Sequence, residues 1–182
     1  MDRILVERAQ RGDREAFAQL AIAASDRLYA VALRVLRDAD AAGDALQTAL
    51  VKIWHGLPAL RDPDRFDGWS YQVVVRQCHS EIRARRRRPF DLALHMEAAP
   101  VGDAQIGVAL RDELERGFSR LNADQRAVLV LMYYRDLSVG EIADTLGVSI
   151  GTVKSRLHYA RSAMRAAIEA DARPVPQEGR PA

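Results

Sequence analysis

The sequence predicts an all-α protein built as two small helical domains joined by an extended linker. Three observations carry this. Apolar residues recur at helical spacing through almost every periodic segment, with no convincing strand between them. That periodicity fails over residues 89–107, which hold Pro89, Pro100 and two glycines. Helix start and stop signals then bracket a short helix, a tight turn and a longer basic helix over residues 137–161.

The elements follow in order. Residues 2–10 form a short helix that Gly12 ends. Asp13 caps a long helix whose apolar residues include Phe17, Leu20, Leu28, Val31, Leu33, Val35 and Leu36. Asp38 or Asp40 opens a third helix that runs to Trp54. Residues 56–68 carry two prolines, two glycines and several aspartates, which is loop chemistry. A fourth helix runs from about Trp69 into the arginines at 83–88, where Pro89 stops it. Helical periodicity resumes near Val108. Asn122 caps the next helix with Gln125 at the capping-box position, and Leu129, Leu131, Met132 and Tyr133 are expected in its core. The expected boundaries are a first domain at 1–88, a linker at 89–107, a second domain at 108–170 and a disordered tail at 171–182, rich in proline and glycine.

Composition narrows the function. The 182 residues allow one or two domains, 48% hydrophobic residues can fill packed cores, and 29% charged residues suit a soluble chain. Net charge is only +2, so nucleic-acid binding has to arise from local charge segregation. The single cysteine, Cys78, forms no internal disulfide, and no Cys/His cluster has zinc-ligand spacing. His55, His79, His95 and His158 lie far apart without a ligand or triad motif. No enzyme activity, cofactor, metal or small-molecule substrate is expected. With no secretory signal and no apolar run approaching a membrane span, the expected compartment is the cytoplasm, without direct membrane insertion.

The segment 137–161 carries the sharpest signal. Ser138 and Glu141 form a capping box, Ile142, Ala143 and Leu146 make one apolar face, and Gly147 supplies the left-handed C-cap. Ser149 caps the next helix, where Val153, Leu157, Ala160, Met164 and Ile168 face the core. The opposite face holds Gly151, Lys154, Ser155, His158 and Ser162, flanked by Tyr159 and Arg161. Lys154, Arg156, Arg161 and Arg165 are basic, and no acid lies between Ser149 and Ile168. Such a helix can approach a phosphate backbone without like-charge repulsion. The layout is a helix-turn-helix, whose second helix enters the DNA major groove. A solvated basic face on an ordinary helical hairpin shares part of this pattern.

The first domain has two further patterns. The fourth helix has Phe66, Trp69 and Tyr71 near its start and an arginine run at its end, a combination suited to single-stranded nucleic acid. The same aromatics also read as core anchors. On the third helix Leu46, Ala49, Leu50 and Ile53 form a core stripe, and Asp44, Gln47, Thr48 and Val51 share a semi-polar face that suits a partner helix or plain solvent.

At these residues the chain resembles a known family. Asp44-x-x-Gln47 followed by Trp54, then Phe66-x-x-Trp69, then Arg76 through the arginine run, is similar to region 2 of bacterial sigma factors. Leu121 to Arg126, Asp136-Leu137-Ser138-x-x-Glu141-Ile142-Ala143 and Gly151-Thr152-Val153-Lys154-Ser155-Arg156-Leu157 are similar to region 4. Two such regions, a linker and little else resemble the extracytoplasmic-function (ECF) group. The resemblance implies a promoter-recognition subunit of RNA polymerase core enzyme. Asp44, Gln47, Thr48 and Val51 would meet the β′ clamp coiled coil, and the β flap would be a further contact. Arg61, Arg65, Phe66, Trp69, Tyr71, Arg76, Arg83, Arg85 and Arg86 would take the −10 element. Lys154, Ser155, His158 and Tyr159 would read the −35 element, while Arg156 and Arg161 hold phosphates. Promoter DNA and an anti-sigma factor are the other implied partners. Thr48 stands where an acidic residue is usual, Ser70 and Glu81 where Leu and Asp are usual, Asn122 for a frequent proline, and Tyr159 for a common arginine.

Two promoter elements must be reached together. A linker of about 20 residues spans roughly 70 Å when extended, or about 20 base pairs. A compact interdomain hairpin would not serve. Two other readings remain at this point: a stand-alone helix-turn-helix regulator, and a sigma mimic that sequesters an anti-sigma factor.

Overall fold

The structure, a computed structural model, describes residues 1–87 and 108–171. The linker expected over 89–107 and the tail expected from residue 171 lie outside the described residues, except for Asp171, which ends the last helix. Arg88 lies outside them as well.

The first domain is α1 (Arg3–Gln10), α2 (Arg14–Leu36), α3 (Ala39–Gly56) and α4 (Phe66–Arg86). Aspartates open the first three. The Asp2 carboxylate accepts from Ile4 N at 2.9 Å, Asp13 from Glu15 N and Ala16 N at 3.1 and 3.0 Å, and Asp38 from Ala41 N at 2.8 Å. Asp38, rather than Asp40, is therefore the cap of α3. The 56–68 segment contains two 3-10 turns, Leu57–Ala59 and Pro63–Arg65, which feed α4 three residues earlier than expected. Leu20, Leu28, Val31 and Val35 of α2 are fully buried against Val6, Ile53, Val74 and Val75. Burying one such side chain stabilises by about 1.5–3 kcal/mol. By length and composition alone α2 is apolar enough to cross a membrane. Its seam, however, packs on α1, α3 and α4, and Glu15, Asp26, Arg27 and Arg34 interrupt the apolar run.

The second domain is α5 (Val108–Ser119), α6 (Ala123–Leu129), a π-helical turn (Val130–Tyr134), α7 (Val139–Leu146) and α8 (Ile150–Asp171). Capping boxes open α6 at Asn122/Gln125 and α7 at Ser138/Glu141. Gly147 ends α7 at φ 66°, the left-handed conformation that glycine adopts without Cβ strain. Leu121, Val128, Leu131, Ile142, Val153, Leu157 and Ala160 fill this core. Tyr133, expected there, is 61% exposed. The wider π turn changes the helical register, so Tyr133 and Tyr134 both turn outward.

The two domains are docked on one another. α2 packs on α6 and the π turn, and α4 packs on α7, so the apolar cores join. Polar groups fix the seam. Arg126 Nε donates to the Val35 carbonyl at 2.7 Å, placing a cation at the C-terminal end of α2. Arg37 donates to the Glu115 carbonyl and carboxylate, each at 3.0 Å. The Arg34 guanidinium lies 3.7 Å above the Tyr134 ring, and Arg65 pairs with Asp144 at 2.9 Å.

Candidate nucleic-acid interface

The helix-turn-helix assembles as its caps dictate. Ser138 Oγ accepts from Glu141 N at 3.3 Å, and the Glu141 carboxylate accepts from Ser138 N at 2.8 Å. The Ser138 side chain and backbone hold the Glu141 carboxyl below its usual pKa. Ser149 Oγ accepts from Thr152 N at 3.0 Å and opens α8. Val153, Leu157 and Ala160 then bury one α8 face, and helical periodicity leaves Lys154, Ser155, His158 and Tyr159 exposed on the other. His158 and Tyr159 rings meet edge to face at 5.6 Å. Lys154, His158, Arg161 and Arg165 border an open groove of about 380 Å³ floored by Met132, Val139 and Leu157.

Arg156 does not share that face. It is half-buried, and its Nη2 lies 3.2 Å from the Asp124 carboxylate. It therefore ties α8 to α6, and in this conformation is not presented to a phosphate. Arg161 is exposed, and its Nε donates to the Tyr133 hydroxyl at 2.9 Å.

The first domain holds its candidate residues less uniformly. Arg61, Arg65, Arg76 and Arg83 are exposed. With a rise of 1.5 Å per residue, the α4 backbone places Arg65 and Arg83 about 27 Å apart, so these cations form a track rather than a cluster. Phe66 and Tyr71, at 2% and 3% exposure, are packed in the core and offer no open stacking face in this arrangement. Phe66 packs near the partly exposed Trp69, with ring centroids 6.3 Å apart. Tyr71 lies beneath Arg135 of the second domain, 5.1 Å from its guanidinium carbon, and burial raises its hydroxyl pKa. Trp69 packs over Gly56, where an added Cβ would stand 3.0 Å from the indole. Arg85 is committed to Asp38 at 2.7 Å, bracing the end of α4 on the start of α3. Arg86 occupies the last position of α4.

α7 of the second domain covers the first half of α4. Built Cβ atoms at Gly68 and Gly147 come within 3.5 Å of Thr145 Oγ1 and 3.7 Å of Arg76, respectively. On the far side of the first domain, α3 presents Asp44, Gln47, Thr48 and Val51 together and exposed, with Val51 at 57%. The seam residues Asp124, Tyr134, Arg135 and Asp144 carry no local sequence signature of their own.

Cys78 is buried, and burial pushes its thiol up to about 12. It is an inert core residue. Among the described residues no group of His, Cys, Asp and Glu has the geometry to hold a metal ion.

The family model for sigma-70 region 2 matches residues 21–88, and that for sigma-70 region 4 matches 117–166. The RNA polymerase sigma-H factor of Pseudomonas aeruginosa is 32% identical, over 92% of this chain and 94% of its own. The ECF RNA polymerase sigma factor SigM of Mycobacterium tuberculosis is 32% identical, over 83% of this chain and 76% of its own. Among solved structures, CnrH in complex with the cytosolic domain of CnrY superposes with a TM-score of 0.69 at 26% identity, covering 94% of this chain and 99% of that one. The sigma factor RpoE of Bartonella quintana, solved with the anti-sigma factor NepR, gives 0.68 at 26% identity, over 85% and 98%. A region 2 bundle, a region 4 helix-turn-helix and relatives alike over most of their length converge: this chain belongs to the extracytoplasmic-function sigma factors.

Proposed function

We propose that the chain engages core RNA polymerase through the Asp44/Gln47/Thr48/Val51 face of α3 and reads two promoter elements. Lys154, Ser155, His158 and Tyr159 on α8 read the −35 duplex. The exposed cations Arg61, Arg65, Arg76 and Arg83 hold the opened −10 strand beside Trp69. The observation that carries this reading is the α8 face itself, exposed, free of acids and set at a fixed angle by two caps and a left-handed glycine. The domains act as units at 1–88 and 108–170. The protein works in the cytoplasm and supplies recognition, while polymerase performs nucleotidyl transfer.

An extended linker lets the two domains reach promoter sites up to about 20 base pairs, or roughly 70 Å, apart, a reach that the contact of α7 with α4 forgoes. The docked arrangement is thus a resting form, and polymerase binding selects a form with the domains separated. CnrH was solved with the cytosolic domain of CnrY, and RpoE with the anti-sigma factor NepR. For this chain, an anti-sigma factor would act by retaining the docked form.

Transcription in vitro with core polymerase, on templates randomised at the −35 element, tests the assignment. Lys154→Ala and His158→Ala each shift the preferred bases, since a good base contact discriminates by about 1–3 kcal/mol. Unchanged preference in both variants would place the wrong face in the groove.

A further inference from the structure

The π turn has a consequence for the DNA-facing side of α8. It turns Tyr133 outward to 61% exposure, beside Arg161. Arg161 stands seven residues beyond Lys154 and so lies on the same stripe of the helix. Its Nε donates to the Tyr133 hydroxyl at 2.9 Å, its guanidinium carbon lies 5.7 Å from the Tyr133 ring centroid, and Nη2 lies 3.6 Å from Met132 Sδ. Arg161 belongs to no ion pair among the described residues. An exposed arginine ordinarily samples many rotamers, at about 2 kcal/mol of side-chain entropy. Here three contacts hold it, and none of them neutralises its charge.

The direction of the hydrogen bond matters. The tyrosine oxygen accepts from Nε, which leaves its own O–H proton uncommitted. The pair therefore presents a phenolic O–H donor, remaining guanidinium N–H donors and one positive charge along the rim of the α8 groove. That set matches a phosphodiester oxygen, which accepts charge-assisted hydrogen bonds. A base edge would need donors within the groove, where Lys154 and His158 stand.

We propose that Tyr133 is a positioning residue for the DNA backbone: it fixes Arg161 against a phosphate flanking the bases that α8 reads. This rests on the reading of α8 as the −35 helix. It predicts an effect on affinity and salt dependence without an effect on base preference.

The test uses the full chain bound to core polymerase and a promoter fragment first selected from a randomised pool by the wild-type protein. Arg161→Ala weakens binding and lowers the slope of log K against log salt by about 0.9, the value for one phosphate contact. Tyr133→Phe keeps the ring and loses the hydroxyl. It weakens binding several-fold, lowers the slope by part of that amount and leaves the preferred bases and the unfolding midpoint unchanged. Adding Tyr133→Phe to Arg161→Ala produces little further loss, because the tyrosine acts through the arginine. Wild-type affinity and slope in Tyr133→Phe, or full additivity of the two substitutions, would overturn the inference while leaving the −35 assignment standing. Base preference unmoved by Lys154→Ala and His158→Ala would overturn that assignment, and this inference with it.

Discussion

His79 shows how much of the docked form depends on single groups. It reaches from α4 to Asp124 of α6, with Nε2 3.4 Å from the carboxylate, yet no hydrogen bond forms there and the nitrogen is buried without a hydrogen-bond partner. Asp124 also holds Arg156 at 3.2 Å. Burial lowers the imidazole pKa below its ordinary 6.5, Asp124 opposes this, and Arg156 of α8 and Arg83 of α4 add to it. The sign follows from linkage: the unfolded chain then binds the proton more tightly than the folded one. The stability contribution is complete above the unfolded pKa and declines as pH falls below about 6.5. Urea unfolding should therefore show a midpoint that drops between about pH 7 and about pH 5.5, and His79→Gln should flatten that drop. A drop of the same size in the variant would assign it to other groups. The sequence exposed His79 as a lone histidine without a motif. Its partners were invisible there, because Asp124 lies 45 positions away and no periodicity connects them.

The helix-turn-helix was the most legible element. Its caps are local chemistry: Ser138, Glu141, Gly147 and Ser149 perform in the structure the roles their spacing predicts. Gly147 stands at φ 66°, where a Cβ would meet only ordinary contacts with Gln72 and Arg76 at 3.6 and 3.7 Å. The cost of Gly147→Ala is thus conformational, about 1–2 kcal/mol, and Gly147→Asn should cost less because asparagine tolerates that conformation. Ser138→Ala removes the other end of α7 and should cost about 1 kcal/mol. Denaturation midpoints of the three variants check the ranking. Alanine and asparagine proving equal at 147 would show that contact with α4, rather than backbone conformation, sets the cost. The π turn was less legible. Val130–Tyr134 reads as ordinary helix, since nothing local marks one wider turn, and on that reading Tyr133 falls on the core side, whereas the structure turns it outward. The start of α4 shifted for a related reason: Arg65 caps it without a side-chain hydrogen bond, so no capping signal stands where the helix begins.

At the scale of the molecule, both helical domains could be read from periodicity and caps, but their docking could not. The seam is built from pairs such as Arg37–Glu115, Arg65–Asp144 and Arg126–Val35, separated by roughly 80 to 90 positions and unmarked by any repeat. A linker measured only by its reach suggested domains held apart. The structure adds a form in which α7 sits on Arg65 and on the part of α4 that carries Gly68 and Arg76. If promoter binding requires that contact to part, fastening it should stop transcription. Gly68 and Thr145 suit the purpose, since a Cβ at 68 lies 3.5 Å from Thr145 Oγ1, so that side chains at the two positions face one another across the contact. The native Cys78 does not compete, because burial keeps its thiol protonated, at about 12. In the Gly68→Cys/Thr145→Cys protein, oxidation should abolish promoter-dependent transcription with core polymerase, and reduction should restore it to the level of the same protein never oxidised. The single variants control for the substitutions themselves. Full transcription by the oxidised protein, its crosslink verified by mass, would mean that the docked form already reads promoters. The two promoter elements would then have to be brought together along a sharply bent DNA path.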